Sequence, residues 1–506
     1  MKKIFSIVMI MSMLFTMAAC GASGNSAGTT ADVKSSDALT YVINGDIDDF
    51  NPYTNQTVNY VSFFTFNCYE PLFHLNEDME YEMDLAESFE QLDELTYTFK
   101  LREGVSFHNG EAFTAEDVIN TISYVMDTNN GCYKQSNFAN VAEMIAEDDY
   151  NLSITLSAPT PAFLDALAWL PITCKSVDVA SQTTHPIGTG AFKFESWSPN
   201  DSIKLTKNDA YWDAASINFS AVTIKPYPDY TIALNGLYAG DVDFITTLSV
   251  ENASGLDTSK NAKVVSAKSS NLVYLFEIGL HNVEAFQDEN IMKAMTLVLD
   301  KEAINEHVYA GMGQAATSPF PSGAKYHEAV NTDGYNLEAA KTLMAESDYA
   351  DGFEFEVMII SGDTNSEMAC VIWKQELAKL GITMNLNVCE ISVWLDAYLG
   401  RTYDMICNYY SMVGSDPATF CTVILAPYVD YQCADMPELF EYIAAGASSA
   451  DETVRKEAYS QVQQIVNATC PSITYIEAPQ LAAATENLVG ITMNGMGHVF
   501  LKNASK

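Results

Sequence analysis

With 506 residues, 66 of them acidic against 25 basic, and a formal net charge of −41, the chain is too long for one small core and repels polyanions, which excludes nucleic acid as a partner. Hydrophobic residues make up 48% and charged residues 18%, an ordinary globular composition that excludes a disordered protein. The plainest use of such acidity is solubility; it also favours cationic solutes weakly through the long-range field.

The chain opens on Lys2 and Lys3, followed by an apolar stretch from Ile4 to Ala19 broken only by Ser6, Ser12 and Thr16. That is the build of an export signal, and it is short for a membrane span. Residues 1–19 are therefore expected to be a signal peptide. Met17-Ala18-Ala19-Cys20-Gly21 is similar to a bacterial lipobox, which would place a diacylglycerol anchor on Cys20; the alternative is an ordinary secretory signal. Residues 20–36 then read as the anchored Cys and a flexible tether rich in Gly, Ser, Ala and Thr.

Leu39 to Ile43 read as the first strand, and Asp48 to Pro52 as the loop that ends it. Tyr97, Phe99 and Leu101 alternate with Thr96, Thr98 and Lys100, the period-two pattern of a half-buried strand. Asn109-Gly110 supplies turn chemistry, and Thr114 with Asp117 three positions on is near a capping box, so a helix is expected over about 115–126. His108, beside the turn and with no second His at i+4, reads as structural. Gly188-Thr189-Gly190 precedes a strand, Lys193 to Trp197, and so fails the strand-to-helix context of a phosphate loop. Leu234 to Ala239 reads as a helix stopped by Gly240, and from Trp373 onward helices and strands alternate as in an α/β lobe. Besides Cys20, the cysteines are scattered with no C-x-x-C pair; this is neither a disulfide framework nor a zinc site, and buried free thiols are expected. No H-E-x-x-H is present and the seven histidines are dispersed, so no catalytic residue, metal site or cofactor is assigned and the chain is read as a non-enzyme.

The run from Thr96 to Glu111, closing on Phe113 to Val118, is similar to the signature of the family 5 extracytoplasmic solute-binding proteins, the peptide, nickel and oligosaccharide receptors of ABC importers. Asn51-Pro52, Tyr69-Glu70-Pro71-Leu72, Leu85 to Phe89, Pro186 to Phe192, Asn208 with Tyr211-Trp212, Leu234 to Asp243 and Leu299-Asp300-Lys301 resemble further family elements, in the family's order. The resemblance implies an α/β, two-lobed periplasmic-binding-protein-like type II fold with an extra lobe I subdomain and a hinge between the lobes. Lobe I would take 37–284 plus 480–506, with the subdomain at about 71–187, and lobe II 285–479. It further implies a monomer, extracytoplasmic and lipid-anchored to the outer face of the cell membrane, that captures a small solute by lobe closure and delivers it to an ABC permease. Peptide is the default solute and oligosaccharide the alternative; a nickel-chelate receptor or a hydrolase ranks behind both.

In peptide-binding members a segment like G-W-x-x-D-x-x-D-P supplies an Asp that captures the peptide amine. Aligned on Asp416-Pro417, Tyr410 takes the Trp position and Val413 that of the Asp. Val cannot hold an ammonium in a desolvated cleft, so the solute is implied to be less charged, or a peptide held by backbone and apolar contacts. Ile391 stands where oligopeptide receptors often carry Trp. Tyr274 and Glu277 lie near the family's ligand-facing strand end, and Thr189 and Gly190 would present backbone groups to the cleft. Trp169 is a pocket wall or satellite core, and Tyr410 a pocket residue or a half-buried strand Tyr. Asp416 is read as a helix cap, and Trp394, in a stripe with Ile391 and Tyr398, as core.

Overall fold

The computed structural model describes residues 37–160, 162–425 and 436–506. The expected signal peptide, the tether and Cys20 lie outside the described residues. Among the described residues no helix is long and apolar enough to cross a membrane.

Lobe I is built on a seven-stranded sheet in the order Ala262–Ser266, Leu481–Thr485, Phe244–Ile245, Ala38–Ile43, Ala221–Pro226, Ser202–Lys207, Phe192–Ser198. Ala38–Ile43 lies at its centre, parallel to both neighbours. It is buried on both faces, Tyr41 and Ile43 among Phe63, Phe64 and Phe244, and Val42 among Ala233, Leu237 and Ile245. A strand covered on both sides reads as a nearly continuous apolar run, as Leu39 to Ile43 does.

Within lobe I a four-stranded antiparallel sheet, Ala86–Gln91, Thr96–Leu101, Asn151–Leu156 and Val141–Ala146, packs with the helix Ala115–Met126 around a core of its own. That helix has the expected span. It starts where the Thr114 N–H donates to Asp117 Oδ2 at 2.9 Å, and its Val118, Ile122 and Val125 face inward.

Lobe II carries a six-stranded sheet in the order Gln314–Ala315, Ser472–Glu477, Leu272–Ile278, Met405–Ser411, Glu354–Ile360, Thr383–Cys389. Leu272–Ile278, expected in lobe I, is bonded here between Met405–Ser411 and Ser472–Glu477. The chain therefore crosses between lobes at 267–271, ahead of the expected boundary at 284, and returns at 478–480. The crossings run side by side, because Ala262–Ser266 pairs with Leu481–Thr485 in the first sheet as Leu272–Ile278 pairs with Ser472–Glu477 in the second. The registers Leu272 to Ser411, Val273 to Glu477 and Ile360 to Cys389 gather these strand ends at the edge that the crossings join to lobe I. The cysteines among the described residues are free thiols, and all but the half-buried Cys389 are buried.

Candidate functional site

A cleft of about 480 Å³ opens between the lobes, walled by Val61, Lys134 and Trp169 of lobe I, His498 of the returning tail, and Val413 and Thr419 of lobe II. Lys134 is held by the 3-10 turn Gln135–Phe138, whose Phe138 is fixed in the subdomain core. Only 2% of Lys134 is exposed. Its Nζ donates to the Trp169 carbonyl and lies 3.8 Å from the centroid of the Trp169 ring. Burial holds the Lys134 pKa well below the usual lysine range, and burial with the Lys134 charge pushes His498 down to about 3, so His498 is neutral.

Beside the cleft the lobes are joined by Asp165, on the short helix Phe163–Leu167. Its carboxylate accepts the Tyr81 hydroxyl at 2.6 Å, the Ser415 N–H at 2.7 Å and the Asp416 N–H. Gly414, at φ +91°, permits this approach, since a Cβ there would lie 2.3 Å from Asp165 Oδ2. Asp416 caps the Ala418 N–H at 2.9 Å and takes both oxygens to Arg455 Nη2 at 2.7 Å. Burial, then the neighbouring Asp416 charge, raises Asp165 to about 6.

Of the residues singled out from sequence, Trp169 and Val413 both line this cleft. The others lie elsewhere. Tyr410 is half-buried on Met405–Ser411, packed on Phe420, and its hydroxyl donates to Glu277. Glu277 is fully buried, also accepts Asn408 Nδ2 at 2.8 Å, and is pushed up to about 7 by that burial. Tyr274 is on the opposite face of the same strand, among Tyr309, Tyr409 and Tyr475. Ile391 opens the helix Ile391–Gly400 with 64% of its surface exposed, so it leaves the expected stripe; Trp394 and Tyr398 stack on each other at 5.1 Å without it.

Thr189 and Gly190 correct the expectation most sharply. Instead of presenting backbone to the cleft, they are buried inside lobe I against the chain at Asn67 and Cys68. The Gly190 N–H donates to the Cys68 carbonyl at 3.0 Å, and a Cβ on Gly190 would stand 2.6 Å from the Asn67 carbonyl. His108 fixes the same segment, accepting the Gly188 N–H at Nδ1 (3.3 Å) and donating Nε2–H to the Gly190 carbonyl (3.0 Å). Burial lowers His108 to about 4, which keeps this neutral tautomer in place.

Sequence reasoning missed Lys134, Asp165, Thr419 and His498. One signal was present for Lys134: it is the lone charge in the stretch between Asp127 and Glu143. Asp165 gave none, since an acid in the first turn of a helix is ordinary.

Residues 80–431 match the family model described as bacterial extracellular solute-binding proteins, family 5 Middle. The glutathione-binding protein GsiB of Pectobacterium atrosepticum is 26% identical over 328 residues, 64% of this chain and 63% of its own. That of Salmonella paratyphi A is 27% identical over 331 residues, 64% of each. The chain thus spans less than two thirds of the length of these curated relatives. HbpA2 of Haemophilus parasuis superposes with a TM-score of 0.82 at 22% identity, over 92% of this chain and 99% of that one, a likeness of fold. The chain belongs to the bacterial extracellular solute-binding proteins, family 5.

Proposed function

We propose that this chain is the substrate-binding component of an ABC importer, capturing a small solute between its lobes and passing it to a membrane permease. The observation that carries this reading is a cleft walled from both lobes. Its volume of about 480 Å³ falls in the roughly 300–1,000 Å³ range of small-ligand sites. The paired crossings at 267–271 and 478–480 provide the hinge, and a solute touching both walls favours the closed arrangement by its differential contacts.

Peptide is the favoured solute class. The relatives at 26 and 27% identity are glutathione-binding proteins, and glutathione is a tripeptide. The walls alternate apolar Val58, Val61 and Val413 with the amides of Gln56 and Asn137, a lining that suits a peptide backbone. Oligosaccharide is the second reading, favoured by Tyr133 and Trp169, whose rings lie 6.1 Å apart in the same wall. The protein acts as a monomer without turnover, held to the outer face of the membrane through Cys20.

Native mass spectrometry of residues 21–506, followed by a thermal-shift screen, tests this. A ligand at a hundredfold excess over Kd stabilises by about 2.7 kcal/mol, a visible rise in Tm. A co-purifying peptide ladder is the expected result. A bound sugar would replace the peptide reading, and cleavage of the bound solute would overturn binding without turnover.

A further inference from the structure

We infer that Lys134 anchors a carboxylate on the solute that fills the cleft. This rests on the reading of the cleft as the solute site. Lys134 is the most deeply buried lysine among the described residues, at 2% exposure. No carboxylate among them pairs with it, and none lines the cleft. An ammonium has three N–H donors. One goes to the Trp169 carbonyl and the charge rests against the Trp169 ring, which leaves donor capacity with no protein acceptor among the described residues. Removing a cation from water without a counter-ion is costly, and such groups are retained where a partner arrives to neutralise them.

Two further observations point to an anion. His498, the other basic group in the lining, is held neutral by burial, so Lys134 is the lining group that an incoming carboxylate would hold in its charged form by pairing with it. The chain as a whole carries −41, a field that repels anionic solutes; an acidic receptor for a carboxylate needs a local cation at the point of contact, and Lys134 supplies it. Val413, also in the lining, completes the contrast, because a site with a buried cation and no carboxylate holds the acid end of a peptide and leaves its amine unrecognised.

The test compares two mixtures of tripeptides, N-acetylated with free carboxylates and N-acetylated with C-terminal amides, by thermal shift and calorimetry on the chain from residue 21. The acids are expected to bind roughly ten- to a hundredfold more tightly than the amides. Lys134→Met and Lys134→Gln should abolish that ratio by weakening the acids alone. The comparison on the unsubstituted protein stands even where a variant folds poorly. Equal binding of acids and amides overturns the anchor while leaving the peptide reading intact. Stabilisation by neutral oligosaccharides alone, or by none of these probes, overturns both.

Discussion

Two regions of the molecule relate motif to ligand in opposite ways. The segments that make the family recognisable meet in a buried knot: Glu70 accepts the Tyr211 hydroxyl at 2.8 Å and Trp212 Nε1 at 2.9 Å, Arg102 lies 3.7 Å over the Trp212 ring, and Asn208 Nδ2 donates to the Gly190 carbonyl at 3.1 Å. The cleft is walled instead by Lys134, Trp169 and Val413, which stand in no motif except by Val413's departure from one. Recognisable segments here are the ones the scaffold needs, because close backbone approach and buried polar pairing tolerate few residue types. The walls of a pocket are free to vary with the solute.

The comparison predicts that the knot controls stability and the cleft controls binding. The largest effect should come from Gly190→Ala, where the added Cβ meets backbone at Asn67 and Cys68 at 2.6 and 2.7 Å. Backbone cannot step aside as a side-chain tip can, so urea denaturation should show a loss of about 3 kcal/mol, the upper end of overpacking costs. Ligand preference should survive in whatever fraction folds. Unchanged stability would mean that the knot yields easily and is not what the motifs protect.

Next are two buried carboxylates away from the cleft, Glu70 in the knot and Glu277 in lobe II. Burial raises both from 4.5 to about 7, Glu70 with help from the Asp84 charge. Between pH 4.5 and 7 the native protein holds protons that the unfolded chain has lost, so stability falls as pH rises through that window. A shift of this size on Glu277 amounts to about 3 kcal/mol at pH 8. Glu277→Gln should therefore flatten the stability profile, gaining most above pH 7 and little at pH 5, with binding unaffected. A profile of the variant parallel to that of the parent would place the titration elsewhere.

Asp165 tests the seam between the two regions. Asp165→Ala removes the acceptor for Tyr81, Ser415 and Asp416 and should cost about 2 kcal/mol, but its diagnostic effect is on shape. The lobes should part, giving a larger radius of gyration by small-angle scattering that ligand reverses. A variant as compact as the parent would show that the crossings alone set the lobe angle.

How far the sequence reached follows the same division. The strand at Tyr97, Phe99 and Leu101 and the helix at 115–126 were legible because period and capping are local. The boundary at 284 was misplaced because Leu272–Ile278 is largely apolar and covered on both faces, and such a strand fits either sheet equally well; its partners, 405–411 and 472–477, are remote in sequence. Tyr410 and Glu277 are ligand-facing candidates by resemblance, yet their hydroxyl and carboxylate satisfy each other, an event no one-dimensional pattern records. Trp169 and Val413 line one cleft only through the lobe arrangement, and Lys134 joins them through a turn with no signature beyond its isolation from other charges.

The smallest change in stability should accompany the largest change in preference. Val413 is 51% exposed on the cleft wall, so Val413→Asp buries no charge and should alter stability by no more than about 0.5 kcal/mol. It places a carboxylate where the resemblance to peptide-binding members of the family implies one, in the cleft that Lys134 also lines. An ammonium captured there makes a charge-assisted hydrogen bond inside a partly desolvated cleft, so peptides with a free amine should gain roughly tenfold over their N-acetylated forms. The unsubstituted protein should show no such preference. Should both proteins rank the two peptide forms alike, position 413 would be wall and not specificity, and the distinction between a structural knot and a solute-facing cleft would have to be redrawn around Lys134 and Trp169 alone.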